Sequence, residues 1–171
     1  AETKRERNSL QALLNVNRSL LSVNASGLFV TLSYCVLDYR TGFFRYFRAG
    51  HPKPIILDAG GQMLDIKMNE GQPLGIFGNI KIDEQECVIP PGGSVLLYSD
   101  GLSEALNSNG NEFGSDRIKA EFARHREEPA NQICRYLRQA VEDHCEGQPN
   151  QDDFTAVVIK RGNGGKGVSP L

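Results

Sequence analysis

Residues 28–48 read LFVTLSYCVLDYRTGFFRYFR, and this stretch decides the fold class. Leu28 to Leu37 is rich in β-branched and aromatic side chains, the composition of a buried strand. Asp38-Tyr39-Arg40-Thr41-Gly42 has turn chemistry, and the aromatic run from Phe43 to Arg48 returns as the hairpin partner. Downstream, the same punctuation recurs. Ala49-Gly50-His51-Pro52-Lys53-Pro54 breaks the chain before a strand at 55–58, and Ala59-Gly60-Gly61 turns it into another at 62–66. Gly71, Pro73, Gly75 and Gly78 mark 69–79 as loop, and a strand follows at 80–88. Pro90-Pro91-Gly92-Gly93 then leads into the apolar strand 94–98, and a last strand runs over 154–160.

Helical spacing surrounds these strands. Leu10, Leu13, Leu14, Leu20 and Leu21, with Asn17 as the polar member, place a helix over 8–23, and charged residues 4–7 extend it into solvent. A short helical piece is expected at 103–106, and 107–114 reads as loop. A helix over 115–125 would be capped by Ser115, and one over 130–145 has Pro129 at its first turn and Ile133, Leu137 and Val141 on one face. One helix, many hairpin-spaced strands, two helices and a final strand make an antiparallel α+β fold rather than alternating βαβ units.

At 171 residues the chain is long enough for one domain with a real core. A formal charge of −2 gives no case for nucleic acid or an acidic membrane. The apolar runs are too short to span a bilayer, and the polar start, Ala1 to Arg7, is no signal peptide. Cys35, Cys87, Cys134 and Cys145 lack zinc-ligand spacing and read as reduced thiols of a cytoplasmic protein. The domain is expected over 1–161, with a flexible glycine-rich tail at 162–171.

Chemistry concentrates at two acidic positions. Asp100 follows the strand Ser94–Tyr98 in Leu97-Tyr98-Ser99-Asp100-Gly101, and Asp152-Asp153 precedes the last strand in Gln151-Asp152-Asp153-Phe154-Thr155. Each alone is commonplace: Asp-Gly is a frequent turn, and adjacent acids are usually solvated. Together, carboxylates from separate strand ends suit a hard divalent cation. Ser99 has no histidine nearby in sequence to activate it, which argues against a serine nucleophile. His125 and His144 lie on helices among polar residues and read as surface groups.

The ordered set Phe29-Val30-Thr31-Leu32, Ala49-Gly50-His51-Pro52, Pro73-Leu74-Gly75, Leu97-Tyr98-Ser99-Asp100-Gly101, Glu112-Phe113-Gly114 and Asp152-Asp153-Phe154-Thr155 resembles the PPM-type metal-dependent protein phosphatases, in their bacterial SpoIIE/RsbU-like branch. The resemblance covers about Ser9 to Lys160. It implies an α-β-β-α sandwich of two antiparallel sheets flanked by helices. It also implies hydrolysis of phosphoserine or phosphothreonine with two manganese or magnesium ions. By position, Asp100 and Asp152 match metal-ligand aspartates and Asp153 a neighbouring acid, with Gly101 a cofactor-binding position. His51 falls outside the ligand set, where a structural histidine bonded to backbone is expected rather than a general acid. No residue beyond the metal ligands is assigned a catalytic role.

One departure matters. Family members begin with strands carrying Gly-Asp motifs, whose first Asp bridges the two metals, and no such motif precedes Ser9. The missing acids could lie outside this sequence, be lost from a degenerate fold, or come from another segment or chain. Two functions therefore stand at this stage: a phosphatase module acting on a phosphorylated regulatory protein such as an anti-sigma-factor antagonist, and a catalytically degenerate adaptor domain. The resemblance further implies an upstream sensory or receiver domain, and unpaired strand edges would allow a homodimer.

Overall fold

A computed structural model describes residues 2–24, 27–67, 69–147 and 152–162, with the side chains of 2–8 left aside. Of the expected tail, 162–171, all but Gly162 lies outside the described residues. The architecture is α+β: helix α1 (Glu2–Val23), strands β1 (Leu32–Leu37), β2 (Phe43–Ala49), β3 (Ile55–Leu57), β4 (Asp83–Val88) and β5 (Ser94–Tyr98), helices α2 (Asp100–Ser103), α3 (Gly114–Arg124) and α4 (Ala130–Cys145), and strand β6 (Ala156–Lys160). The strands form two three-stranded antiparallel sheets, β1-β2-β4 and β3-β5-β6, as in the expected fold class. Among the described residues no helix is long and apolar enough to cross a membrane.

The chain divides into two compact units. The first holds α1, most of the β1-β2-β4 sheet and the loop 66–82. The expected hairpin forms, with Leu37 opposite Phe44 and Leu32 opposite Ala49. β2 is the central strand, and Phe44, Arg45, Tyr46 and Phe47 are all buried. Arg45 is compensated by Glu86 at 2.7 Å. Arg48 meets the fully buried Asp83 at 3.1 Å, and the same carboxylate accepts from Asn69 N and Gln85 Nε2. Helix α1 buries Leu13 and Asn17. The Asn17 amide donates to Phe77 O and accepts from Gly75 N, both at 2.8 Å, so the polar member of the leucine stripe ties the helix to the 74–77 turn.

The second unit holds the turn 38–43, the segment 54–65 and everything from Val88 onward. In the turn, the Asp38 carboxylate accepts from the N–H groups of Arg40 and Thr41, and these bonds hold it below the usual carboxylate range. Gly42 closes the turn at φ 77°, a conformation that side chains resist. The core of this unit runs from Ile55, Leu57 and Leu96 in the sheet to Ile118 and Phe122 of α3 and Ile133, Leu137 and Val141 of α4.

Several elements differ from the sequence expectation. The strand expected at 28–37 begins at Leu32 and is only half-buried, with Phe29, Val30, Tyr34 and Val36 exposed. Strand composition does not distinguish a central strand from an edge strand, and β1 has a single sheet neighbour. The 62–66 strand reduces to one bridge, Met63 to Leu57, and pairing near 80–88 starts only at Asp83. The short helix sits at Asp100–Ser103 instead of 103–106. Ser115 is no cap: α3 starts at Gly114 after Phe113, without a side-chain cap bond.

Candidate active site

β5 and β6 run antiparallel with Tyr98 opposite Ala156. The pairing continues one step beyond the strands, Ser99 N donating to Thr155 O at 3.0 Å and Thr155 N to Ser99 Oγ at 2.9 Å. That extra step aligns the segment carrying Asp100 with the segment carrying Asp152 and Asp153. Gly101 shows how closely they pack: a Cβ at this position would stand 2.7 Å from Asp153 O. Any larger residue would push the two segments apart.

The three acids are exposed, so solvent and solutes reach their carboxylates. Asp100 Oδ1 accepts from Gly101 N at 3.0 Å, and Asp152 Oδ1 accepts from Asp153 N at 2.8 Å. Each bond restricts the rotation of a carboxylate without covering it. The first turn after Asp100 is locked by Glu104 N and Ser103 Oγ, both donating to Asp100 O. Beneath them, burial pushes the Tyr98 hydroxyl above its ordinary range, so the phenol stays neutral.

The donor chemistry fits a hard cation in part. Carboxylate oxygens suit magnesium or manganese, which leave other coordination positions to water and phosphate. Among the described residues, however, no three His, Cys, Asp or Glu groups already stand close enough to hold an ion. A pair of ions requires more donors than this corner presents.

His51 belongs to the first unit. Its Nδ1 lies 3.1 Å from Thr31 Oγ1, and its carbonyl accepts from Arg48 Nη1 at 3.2 Å. Its ring bonds a hydroxyl, and its backbone anchors Arg48. His125 caps α3, stacked on Tyr136 at 3.9 Å, and His144 Nε2 lies 3.0 Å from Asn111 O. The cysteines are unpaired.

Beside the acids lies a cleft of about 470 Å³ that sequence reasoning did not anticipate. Arg138, Val141, Glu142 and Cys145 form one wall, on a single face of α4. Asp152, Asp153 and Phe154 form the other. The signal was present as an i, i+4 charged pair flanking the apolar stripe of the helix that precedes Asp152.

The family model for Stage II sporulation protein E (SpoIIE) matches residues 1–162. The chain belongs to the SpoIIE family. This is a family of PP2C-type phosphatase domains, as the resemblance to the PPM phosphatases implied. The chain is 28% identical over 138 residues to Protein IcfG of Synechocystis sp., covering 78% of this chain and 21% of IcfG. Its fold is similar to the manganese-presoaked phosphatase domain of SpoIIE from Bacillus subtilis, with a TM-score of 0.67 and 17% identity over 91% of this chain and 68% of that one. It is also similar to the RsbU and RsbW domains of Rv1364c from Mycobacterium tuberculosis, with a TM-score of 0.71 and 24% identity over 91% of this chain and 42% of that one. The SpoIIE-family chain thus spans about a fifth of the curated relative it matches.

Proposed function

We propose that this chain is a protein serine/threonine phosphatase module, with Asp100, Asp152 and Asp153 contributing ligands to a manganese or magnesium centre. The observation that carries the reading is the Ser99–Thr155 pairing, which sets the two acidic segments side by side at an open surface in a chain of a phosphatase-domain family. A divalent cation held there would acidify a water and offset charge on the phosphoryl oxygens, with further donors needed for a second ion. The residues of the chain do the positioning. Gly101 permits the close approach of the segments, and the Asp100 and Asp152 turn bonds orient carboxylates outward.

The substrate is a phosphoserine on a small regulatory protein, such as an anti-sigma-factor antagonist. The structure of Rv1364c, which contains RsbU and RsbW domains, is in keeping with a regulatory setting of this kind, and an upstream sensory or receiver domain is part of the same proposal.

Calorimetric titration with manganese, run beside hydrolysis of a phosphoserine peptide, tests the reading. The chain by itself is expected to show little manganese-dependent turnover, because the corner presents too few donors for a pair of ions, and Asp100→Asn and Asp152→Asn are expected to abolish cation binding. Unchanged cation binding in both variants refutes the ligand assignment. Cation binding that brings no gain in affinity for a phosphoserine peptide over its serine form returns the chain to the adaptor reading.

A further inference from the structure

We propose that the cleft between α4 and the Asp152–Phe154 segment receives the residues flanking the phosphoserine, and that it selects a basic side chain there. The proposal rests on the phosphatase reading above and adds to it the class of sequence that the site accepts. A volume of about 470 Å³ holds a few side chains.

The composition of the cleft sets its preference. Its floor is apolar: Val141 and Cys145 are buried in the core of the second unit, and Phe154 packs against that core. Its rim is charged: among the described residues Glu142, Asp152 and Asp153 stand against a single cation, Arg138. Arg138 Nε bonds Glu142 Oε1 at 2.7 Å, but both side chains are exposed, 70% and 49%. An exposed i, i+4 pair is weak and easily exchanged for another. An incoming lysine or arginine therefore displaces Arg138, lays its methylenes along Val141 and Phe154, and reaches Glu142 with its charged head. An acidic flank meets three carboxylates instead. With cations bound at Asp152 and Asp153, Glu142 is the carboxylate that remains to discriminate.

Position links the cleft to the reaction. Asp153 lines the cleft, and its backbone abuts Gly101 beside Asp100. An extended peptide with its phosphoserine at the acids enters the cleft within about three residues, at roughly 3.5 Å per residue.

Fluorescence anisotropy with labelled serine peptides, which are reaction products and cannot be turned over, tests this on the whole chain. A lysine-flanked peptide is expected to bind about tenfold tighter than its glutamate-flanked counterpart, the order of one partly desolvated charge contact. With manganese present, Glu142→Lys should reverse the preference and Glu142→Gln should remove it, with circular dichroism unchanged for both. Equal affinity of the two peptides for the native chain, or a preference that survives both substitutions, overturns the proposal. The phosphatase reading is judged by a different comparison, the manganese-dependent gain in affinity of each phosphoserine peptide over its serine form. Loss of that gain with the charge preference intact removes the phosphoryl site and leaves a basic-peptide groove. The converse result removes the groove and leaves the phosphatase site.

Discussion

At the scale of single residues, the site depends on what Gly101 lacks. A methyl group there would meet Asp153 O at 2.7 Å and its carbonyl carbon at 3.2 Å, and both are backbone atoms with little freedom to yield. Gly101→Ala is therefore expected to cost about 1–3 kcal/mol by overpacking. It should also weaken manganese binding, because the acidic segments separate. Denaturant unfolding and calorimetry on one preparation check both effects, and native-like values in each would mean that the close approach is unimportant. Cys35 gives a second residue-level expectation. Burial raises its thiol from 9.0 to about 11, outweighing the opposing influence of the Ser33 hydroxyl. The folded state thus holds the proton after the unfolded chain has released it. The associated stability is complete below pH 9 and is lost as pH rises from about 9 to 11. Cys35→Val should flatten the pH dependence of unfolding in that window, and thiol-reactive dyes at pH 8 should leave Cys35 unmodified in the native protein. Asp100 and Asp152-Asp153 were legible as residues because Asp-Gly and Asp-Asp stand at the ends of apolar strands. Arg138 and Glu142 were not, because an i, i+4 pair on a helix surface looks the same whether it borders a cleft or open solvent.

At the scale of elements, the sheets differ in how they tolerate charge. β2 is buried along most of its length and still carries Arg45 and Arg48, whose charges are met by Glu86 and Asp83 of the neighbouring strand β4. Asp83 is fully buried and binds Arg48, Asn69 N and Gln85 at once, so it anchors the loop that precedes β4 as well as the strand pair. Asp83→Ala leaves the largely buried Arg48 guanidinium without its counter-charge and the Asn69 amide without its acceptor. The expected cost is about 3–5 kcal/mol, that of breaking a buried ion pair from one side. Thermal unfolding checks it, and a loss under 1 kcal/mol, the order of an exposed pair, would mean that water replaces the carboxylate. The hairpin 28–48 was readable because turn chemistry and strand composition agree. Its exposure was not, because the same aromatic and β-branched residues serve a central strand and an edge. The 62–66 segment carried a strand pattern, but pairing stops after the Met63 bridge, and nothing local in the sequence marks where a ladder ends. The shift of the short helix from 103–106 to Asp100–Ser103 matters more, since it makes Asp100 the first helical residue, with a carbonyl held by Glu104 N and Ser103 Oγ.

At the scale of the whole molecule, fold class came from the order of elements, and family from an ordered set of short motifs, each too weak to stand alone. The motifs survive as a set because they mark the turns and strand ends, where backbone geometry restricts residue choice most. The core carries no comparable signature, since many apolar sequences satisfy the same packing. Its distribution nevertheless yields a test. β5 lies between β3 and β6, with Val95 and Leu96 inaccessible, and its sheet shares a core with α3 and α4 through Phe122, Ile133 and Leu137. β1 has one strand neighbour and exposes Tyr34 and Val36. Amide exchange follows local opening, which is rarest where strands are paired on both sides and packed. Hydrogen exchange read by mass spectrometry should therefore find the slowest amides within 94–98 and markedly faster ones within 32–37. Phe122→Ala, which empties the centre of the α3–α4 core, should cost about 3–5 kcal/mol and raise exchange in 94–98 and 156–160 together, because β5 and β6 rest on that core. If amides in 32–37 exchange as slowly as those in 94–98 in the native chain, the edge of β1 is covered in solution, and the apolar side chains it displays are part of an interface.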